Sequence, residues 1–125
     1  DIAWQPAPPA LPPGAESALL AGNPSESGQF TIRVRLPVNY RVPPHWHSVD
    51  EYVTLLSGTL CIGTGERTDF QHGTCVGAGT FFVMPAKLAH SLWTHGPVEY
   101  ELHAVGPFDG TYVNPADDPR QQRRQ

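Results

Sequence analysis

Glycine and proline interrupt this chain at short intervals, which leaves little room for long helices. The 125 residues include 14 prolines and 12 glycines, and both residue types destabilise the interior of a helix. Between two such interruptions, residues 29–36 read QFTIRVRL, in which apolar and polar residues alternate. One face of this segment carries Phe30, Ile32, Val34 and Leu36. A period of two is typical of a half-buried β-strand.

Several other segments have the length and pattern of strands. They cover residues 15–21, 52–58, 59–65, 81–85, 90–94 and 98–105. We expect residues 81–85, FFVMP, to form a buried strand, and residues 65–73 to form a polar hairpin loop. Many short strands joined by Gly and Pro turns predict an all-β protein, as an antiparallel sandwich or barrel. The length is that of a single domain.

The two ends of the chain differ in composition from its middle. Residues 5–14 read QPAPPALPPG, with five prolines, which favours an extended arm over residues 1–14. This arm either packs across the barrel or a neighbouring subunit, or serves as a recognition ligand. We expect the barrel to cover residues 15–115 and a polar, solvated tail to cover residues 116–125.

Charge and hydropathy exclude two classes of partner. The net charge is −4, and the only lysine is Lys87, so the chain lacks the basic stripe that nucleic-acid binding needs. No segment approaches the roughly 20 apolar residues of a membrane span. The sequence begins at Asp1 rather than Met, so a cytoplasmic location and export after removal of a leader both stay open.

The chain has two cysteines, Cys61 and Cys75. We expect them to be small buried thiols. The alternative is a disulfide, which requires the strands that carry them to be neighbours.

The spacing of three histidines and one glutamate predicts a metal site. The run HWHSVDE places His45 and His47 two residues apart and Glu51 four residues later, and His90 follows in a second run. Alternate side chains of a strand share a face, so His45 and His47 are expected to point the same way. Imidazole and carboxylate donors favour one divalent transition metal: Fe, Mn, Ni, Co, Cu or Zn. The alternative is a set of unrelated surface histidines.

These two runs resemble the paired motifs of the cupin superfamily, Gly-x5-His-x-His-x3-4-Glu-x6-Gly and Gly-x5-Pro-x-Gly-x2-His-x3-Asn. All four ligand positions match, whereas Asn39, Lys87 and Thr94 stand where the motifs have Gly, Gly and Asn. The chain is also similar to small single-domain bacterial cupins that end in a GPF…YVNP segment, here residues 106–115. The resemblance implies a single-domain jelly-roll barrel, an antiparallel double-stranded β-helix, with a three-His, one-Glu metal site.

Four further residues are candidates for substrate contact. They are Leu92, Thr94, Lys87 and His103. Leu92 and Thr94 share a strand face with His90, and Lys87 lies in the turn before it; a solvated turn lysine is the alternative. His103 is expected to point outward or to the rim of the pocket. We interpret His72 and His95 as solvated.

The resemblance implies a small organic substrate and leaves three functions open. We rank first a dioxygenase-type oxidoreductase acting on an enolisable or chelating substrate. The second is a metal-assisted isomerase or lyase, in which Glu51 transfers a proton. The third is a sensor that binds a small ligand without turnover. A homodimer is expected, because jelly-roll sheets have exposed edges.

Overall fold

The computed structural model describes residues 2–122 and confirms the all-β jelly-roll prediction. Eleven strands follow one another along the chain: β1 Gln5–Pro6, β2 Glu16–Ala21, β3 Gly28–Leu36, β4 Arg41–Trp46, β5 Glu51–Ser57, β6 Thr59–Thr64, β7 Thr74–Gly77, β8 Phe81–Met84, β9 His90–Thr94, β10 Val98–Gly106 and β11 Thr111–Tyr112. Two short helical segments come last, a 3-10 turn over Pro115–Asp117 and the helix α1 over Pro119–Gln122.

The strands form two antiparallel sheets. The order is β1-β2-β3-β10-β5-β8 in the six-stranded sheet and β11-β4-β9-β6-β7 in the five-stranded sheet. At the centre of the larger sheet, β3 and β10 pair over nine residues, from Val98 opposite Leu36 to Gly106 opposite Gly28. Both strands alternate along this length, so one apolar face is continuous across them.

The core lies between the inward faces of the two sheets. The predicted face of β3 supplies Phe30, Val34 and Leu36, each at most 2% exposed. Tyr100, Leu102 and Ala104 of β10 join it, as do residues of β4, β5 and β6. The sequence pattern therefore located the core strands correctly.

Strand β8 departs from the prediction of a buried strand. It is the last strand of the six-stranded sheet, and its pairing is with β5. Phe82 and Met84 point inward, but Phe81 and Val83 are 57% and 41% exposed. An apolar run does not distinguish a central strand from an edge strand, because both need one buried face. The expected homodimer stays a prediction.

The prediction of two buried thiols is wrong. Cys61 and Cys75 lie directly opposite each other on β6 and β7 and form a disulfide. Cys61 is buried and Cys75 is exposed. The disulfide joins the two strands on either side of the 65–73 loop.

The N-terminal segment lies across its own barrel. Its short strand β1 pairs with β2, and Ala7 and Leu11 pack against the core. The Tyr40 hydroxyl donates to Pro12 O at 2.5 Å, and the Tyr112 hydroxyl donates to Ala10 O at 2.5 Å. These contacts fix the segment at several points along its length.

The other end of the chain is described as far as residue 122. There Arg120 donates to Gly110 O and pairs with Asp118. The rest of the predicted tail, including Arg123 and Arg124, lies outside the described residues. The domain limits at residues 14 and 115 stay predictions. Between residues 2 and 122 there is no helix with the length and apolar character of a membrane span.

Candidate metal centre

Two of the predicted ligands face each other on neighbouring strands. His45 of β4 is paired with His90 of β9, and the centroids of the two rings are 4.3 Å apart. The register between β4 and β9 shifts between Val42 and His45, where Pro43 and Pro44 stand. Proline has no N–H to donate to the ladder, so an irregularity at this point is expected. The shift sets the position of His45 opposite His90.

His47 lies just beyond the end of β4 and is positioned by the segment that follows β10. Its ring stacks on Phe108, with centroids 4.7 Å apart and planes 19° apart. Its Nδ1 lies 2.6 Å from Asp109 O. The Asp109 carboxylate in turn accepts hydrogen bonds from the backbone N–H and the hydroxyl of Ser48. The GPF segment noted in the sequence is thus the support for His47.

Glu51 approaches the histidines from the opposite sheet. It is the first residue of β5, it is 8% exposed, and its Oε1 lies 3.1 Å from His47 Nε2 and 3.5 Å from His90 Nε2. The segment between β4 and β5 therefore returns the chain to the same interior. Both sheets contribute to the cluster.

Hydrogen bonds on the outer side of each ring fix which nitrogen faces the centre. The Nδ1 atoms of His45, His47 and His90 lie 2.8, 2.6 and 2.9 Å from the carbonyl oxygens of Pro43, Asp109 and Leu88. A carbonyl only accepts, so each Nδ1 carries the proton. A ring that carries only this proton presents an Nε2 lone pair to the centre, which is the arrangement that metal-binding histidines require.

The donor set fits a cation. One ligand atom from each of the three histidines lies within 4.8 Å of the others. The Glu51 carboxylate is also an acceptor, so when the rings are neutral the lone pairs of all four residues converge, and a cation must lie between them, either a metal or, in its absence, a proton. A divalent transition metal bound by the imidazole nitrogens and the carboxylate oxygen would satisfy all of these groups.

The electrostatics of the cluster agree with this fit. Burial, together with the neighbouring His90 and His47, lowers the pKa of His45 to about 3, so its ring is neutral at physiological pH. Burial opposes the charge of Glu51, but hydrogen bonds from His47 and His90 outweigh it and lower the pKa of Glu51 to about 2. Burial likewise lowers the pKa of His47, but Glu51 outweighs it, and the net shift is upward. The centre attracts a proton in the absence of a larger cation.

A small cavity adjoins the cluster on its inner side. Its volume is about 20 Å³, and it is lined by Glu51, Val53, Leu60, Phe82, Met84, His90, Leu92 and Tyr100. The lining is apolar except at Glu51, His90 and Tyr100. Burial, with the charge of Glu51, raises the pKa of the Tyr100 phenol, which therefore stays protonated. Sequence patterning assigned Tyr100 to the core and gave no sign of this position.

The four candidate substrate contacts lie in different places. Leu92 lines the cavity. The Thr94 hydroxyl instead donates to Pro37 O at 2.6 Å and accepts from Tyr40 N at 3.0 Å, so it holds the turn before β4. Lys87 is exposed, and its N–H donates to His47 O at 2.7 Å. His103 lies on the outer face of β10, with Nδ1 2.9 Å from the Thr31 hydroxyl.

The remaining two histidines lie away from the centre. His72 is exposed and pairs with Asp69, and His95 is exposed in the turn after β9. The structure thus separates the three histidines of the two motifs from the other three.

Comparison with known proteins agrees with this architecture. Two facing antiparallel sheets, with the donors of both motifs converging between them, define a cupin. A family model described as the ChrR Cupin-like domain matches residues 1–109, and the chain belongs to that family. The match includes the N-terminal arm. No curated protein matches the chain.

Solved structures share the fold at low sequence identity. The polyketide cyclase RemF from Streptomyces resistomycificus has a TM-score of 0.70 and 17% identity, over 89% of this chain and 79% of that one. KdgF from Halomonas sp. has a TM-score of 0.63 and 19% identity, and the match covers 83% of this chain and 86% of that one. A cupin sugar phosphate isomerase from Silicibacter pomeroyi has a TM-score of 0.62 and 20% identity, and the match covers 79% of this chain and 65% of that one. At these identities the similarity establishes the fold alone.

Proposed function

We propose that the protein is a metal-dependent enzyme of the dioxygenase type, acting on a small enolisable or chelating organic molecule. The observation that carries this proposal is the convergence of three imidazoles and one carboxylate, each ring fixed by a backbone carbonyl. Ligands held in this way are oriented before a metal arrives, which favours tight binding.

His45, His47, His90 and Glu51 would hold the metal. When bound, it would supply a Lewis acid and, for a redox-active ion, electron transfer with dioxygen. The protein supplies the surroundings in which the metal would act. Both sheets enclose the cluster, so water is largely excluded, and the charge of Glu51 acts in a medium where electrostatic interactions are strong.

The character of the cavity favours oxygenation over the alternatives. Its lining is mostly apolar, and its volume of about 20 Å³ suits one small molecule such as dioxygen beside the cluster. In such a reaction both oxygen atoms enter the products, and the organic substrate supplies the four electrons. Glu51 is positioned to accept the proton that the substrate loses when it enolises.

A proton-transfer isomerase or lyase is the second candidate, because Glu51 lines the cavity and is ionised. The relatives named above include a cyclase and an isomerase, which shows that the fold hosts other chemistry. Deuterium exchange into a carbonyl substrate, with no oxygen consumed and with a loss of about a hundredfold in Glu51→Gln, would establish this function instead.

The metal assignment is tested by elemental analysis of protein purified without a histidine tag. His45→Ala, His47→Ala and His90→Ala are each expected to lose most of the metal, because each removes one of about four donors. His72→Ala and His95→Ala are matched controls, since both residues are exposed and lie outside the cluster. Equal metal content in all five variants would show that the cluster is not the site.

The reaction class is tested with the metal-loaded protein. We expect oxygen uptake with members of a panel of diketones and flavonols, and incorporation of label from ¹⁸O₂ into the product. Saturable binding of a panel member without oxygen uptake or deuterium exchange would indicate a sensor and overturn the oxygenase assignment.

A further inference from the structure

The disulfide joins an inner strand of the five-stranded sheet to a strand at its edge. Cys61 lies on β6, which pairs with both β9 and β7, and it is fully buried. Cys75 lies on β7, the last strand of that sheet, and it is exposed. A disulfide is reduced when a thiolate attacks one of its two sulfurs, so the reaction requires access to that sulfur. The exposed position of Cys75 gives an external thiol this access while the barrel stays folded.

Strand β7 buries little apolar surface of its own. It has four residues, of which Val76 packs against the core and the other three are exposed. Its position at the end of the sheet gives it β6 as its partner in that sheet. Gly73 and Gly79 flank the strand, and glycine allows the backbone to turn freely at both ends. A short edge strand with so little buried surface belongs to the least stable part of a fold, so the disulfide is its main attachment.

The loop before β7 is held to the sheet independently of the disulfide. The ring of Phe70 packs edge-on against Trp93 of β9, with centroids 5.4 Å apart. The guanidinium of Arg41 lies 4.4 Å from the centroid of the Phe70 ring on its other side of the contact, as a cation–π pair. Reduction of the disulfide leaves both contacts in place. Release of the chain therefore begins after this loop, at β7.

The chain that follows β7 leads directly to the wall of the cavity. The turn over residues 78–80 connects it to β8, which is the last strand of the six-stranded sheet. Phe82 and Met84 of β8 line the cavity beside Glu51 and His90. The two strands at the edges of the two sheets are thus consecutive in the chain and three residues apart. A displacement of β7 is transmitted to β8 through this short turn.

We propose that the Cys61–Cys75 disulfide is a redox site whose reduction by a dithiol releases β7 and loosens the wall of the cavity that β8 forms. A thiolate of the dithiol attacks the Cys75 sulfur, the bond between the two cysteines breaks, and Cys61 leaves as a thiolate that takes up a proton. The second thiolate then attacks the dithiol's own sulfur in the mixed disulfide and expels Cys75. The dithiol ends as a cyclic disulfide, having given two electrons, and the protein gains two thiols.

The test is amide hydrogen exchange of the metal-free protein, followed by mass spectrometry, before and after treatment with dithiothreitol in the absence of denaturant. Alkylation with iodoacetamide counts the thiols, and we expect two to appear. We expect exchange over residues 74–84 to become faster by about tenfold or more, because loss of a disulfide that closes a loop of this length commonly costs more than one factor of ten in an equilibrium. Exchange in β3 and β10 is expected to stay as it was.

Cys75→Ser separates the loss of the disulfide from other effects of the reagent. The substitution changes an exposed residue and keeps the buried Cys61 side chain in place. We expect this variant to exchange over residues 74–84 as the reduced parent does, with and without dithiothreitol. The oxidised, cyclic form of dithiothreitol is a second control, and it should leave the exchange of the parent unchanged.

Three outcomes overturn the proposal. One is a disulfide that dithiothreitol reduces only after denaturant is added, and another is a reduced protein whose exchange over residues 74–84 is unchanged. The third is exchange that becomes faster to the same extent in β3 and β10, which would make the disulfide a general support of the fold. None of these measurements involves a metal or a substrate. This proposal and the oxygenase assignment can therefore fail separately.

Discussion

Asn39 and Lys87 have left-handed backbone conformations, with φ angles of 56° and 68°. They are the only non-glycine residues between 2 and 122 with positive φ. A Cβ atom makes this conformation unfavourable by roughly 1–2 kcal/mol, although asparagine tolerates it better than lysine. Both stand where the cupin motifs have glycine, so the turn geometry of the family is kept even though the residues differ.

Replacing Lys87 by glycine should therefore stabilise the protein. We expect Lys87→Gly to raise the free energy of unfolding by up to about 1 kcal/mol, because relief of the backbone strain exceeds the added entropy of the unfolded chain. Lys87→Ala removes the charge but keeps the Cβ, and it should leave stability near that of the parent. Urea unfolding measures both. A destabilised Lys87→Gly would mean that the lysine side chain itself holds the turn.

The sequence predicted the donors of the centre because their spacing follows the geometry of strands. Alternation placed His45 and His47 on one side, and the second motif supplied His90. The position of Tyr100 on the wall of the cavity was beyond such reasoning, because a pattern shows that a residue points inward and not what lies opposite. Thr94 illustrates the same limit: its inward direction was right, but its hydroxyl is taken by Pro37.

At the level of elements, the disulfide could not be predicted from the sequence separation of its two cysteines. Cys61 and Cys75 are 14 residues apart, and the hairpin between them was predicted. Whether they meet depends on the register of β6 and β7, which are joined by the nine-residue loop 65–73. A shift by one residue would have put the two side chains on opposite faces.

The N-terminal arm lies near the histidines of the candidate metal centre. A Cβ on Gly110 would lie 3.7 Å from the His47 ring and 4.0 Å from the Ala10 side chain, so arm and ligand are near neighbours. Tyr112 connects the two as well, because its ring lies 5.6 Å from that of His45 and its hydroxyl bonds to the arm. The arm is thus part of the surroundings of the site.

Deleting residues 1–13 should lower the melting temperature without changing the metal stoichiometry. The deletion exposes apolar surface under Leu11 and leaves the hydroxyls of Tyr40 and Tyr112 unpaired, each at a cost of about 1 kcal/mol or more. The four ligands are unaffected. Because the arm packs on its own barrel, the decrease in melting temperature should not depend on protein concentration.

A shorter deletion, of residues 1–3, removes none of these contacts and serves as the control for the arm. Calorimetry at two concentrations compares the two deletions. Equal melting temperatures for both would show that the arm adds nothing to stability, and a loss seen only in dilute protein would point to a role between subunits.

At the scale of the whole molecule, the candidate metal centre lies between the two sheets and draws residues from both. His45 and His90 belong to the five-stranded sheet, Glu51 belongs to the six-stranded sheet, and His47 is held by the segment that follows β10. A metal bound there would crosslink elements that are distant in sequence. It would also take the place of the proton that His47 and Glu51 otherwise share in a buried place.

Metal binding should consequently stabilise the entire fold. A ligand that binds the native state alone adds about 2.7 kcal/mol when its concentration is a hundred times its dissociation constant. We expect a chelator to lower the melting temperature of the parent, and added metal to restore it in a concentration-dependent way. His90→Ala is the matched control, because a variant that has lost the site should melt at the same temperature with and without chelator. If the parent were equally indifferent to chelator and to added metal, the buried cluster would be a structural network of histidines around one carboxylate. The stability of the barrel would then come from its apolar core, and the case for metal chemistry at this site would be lost.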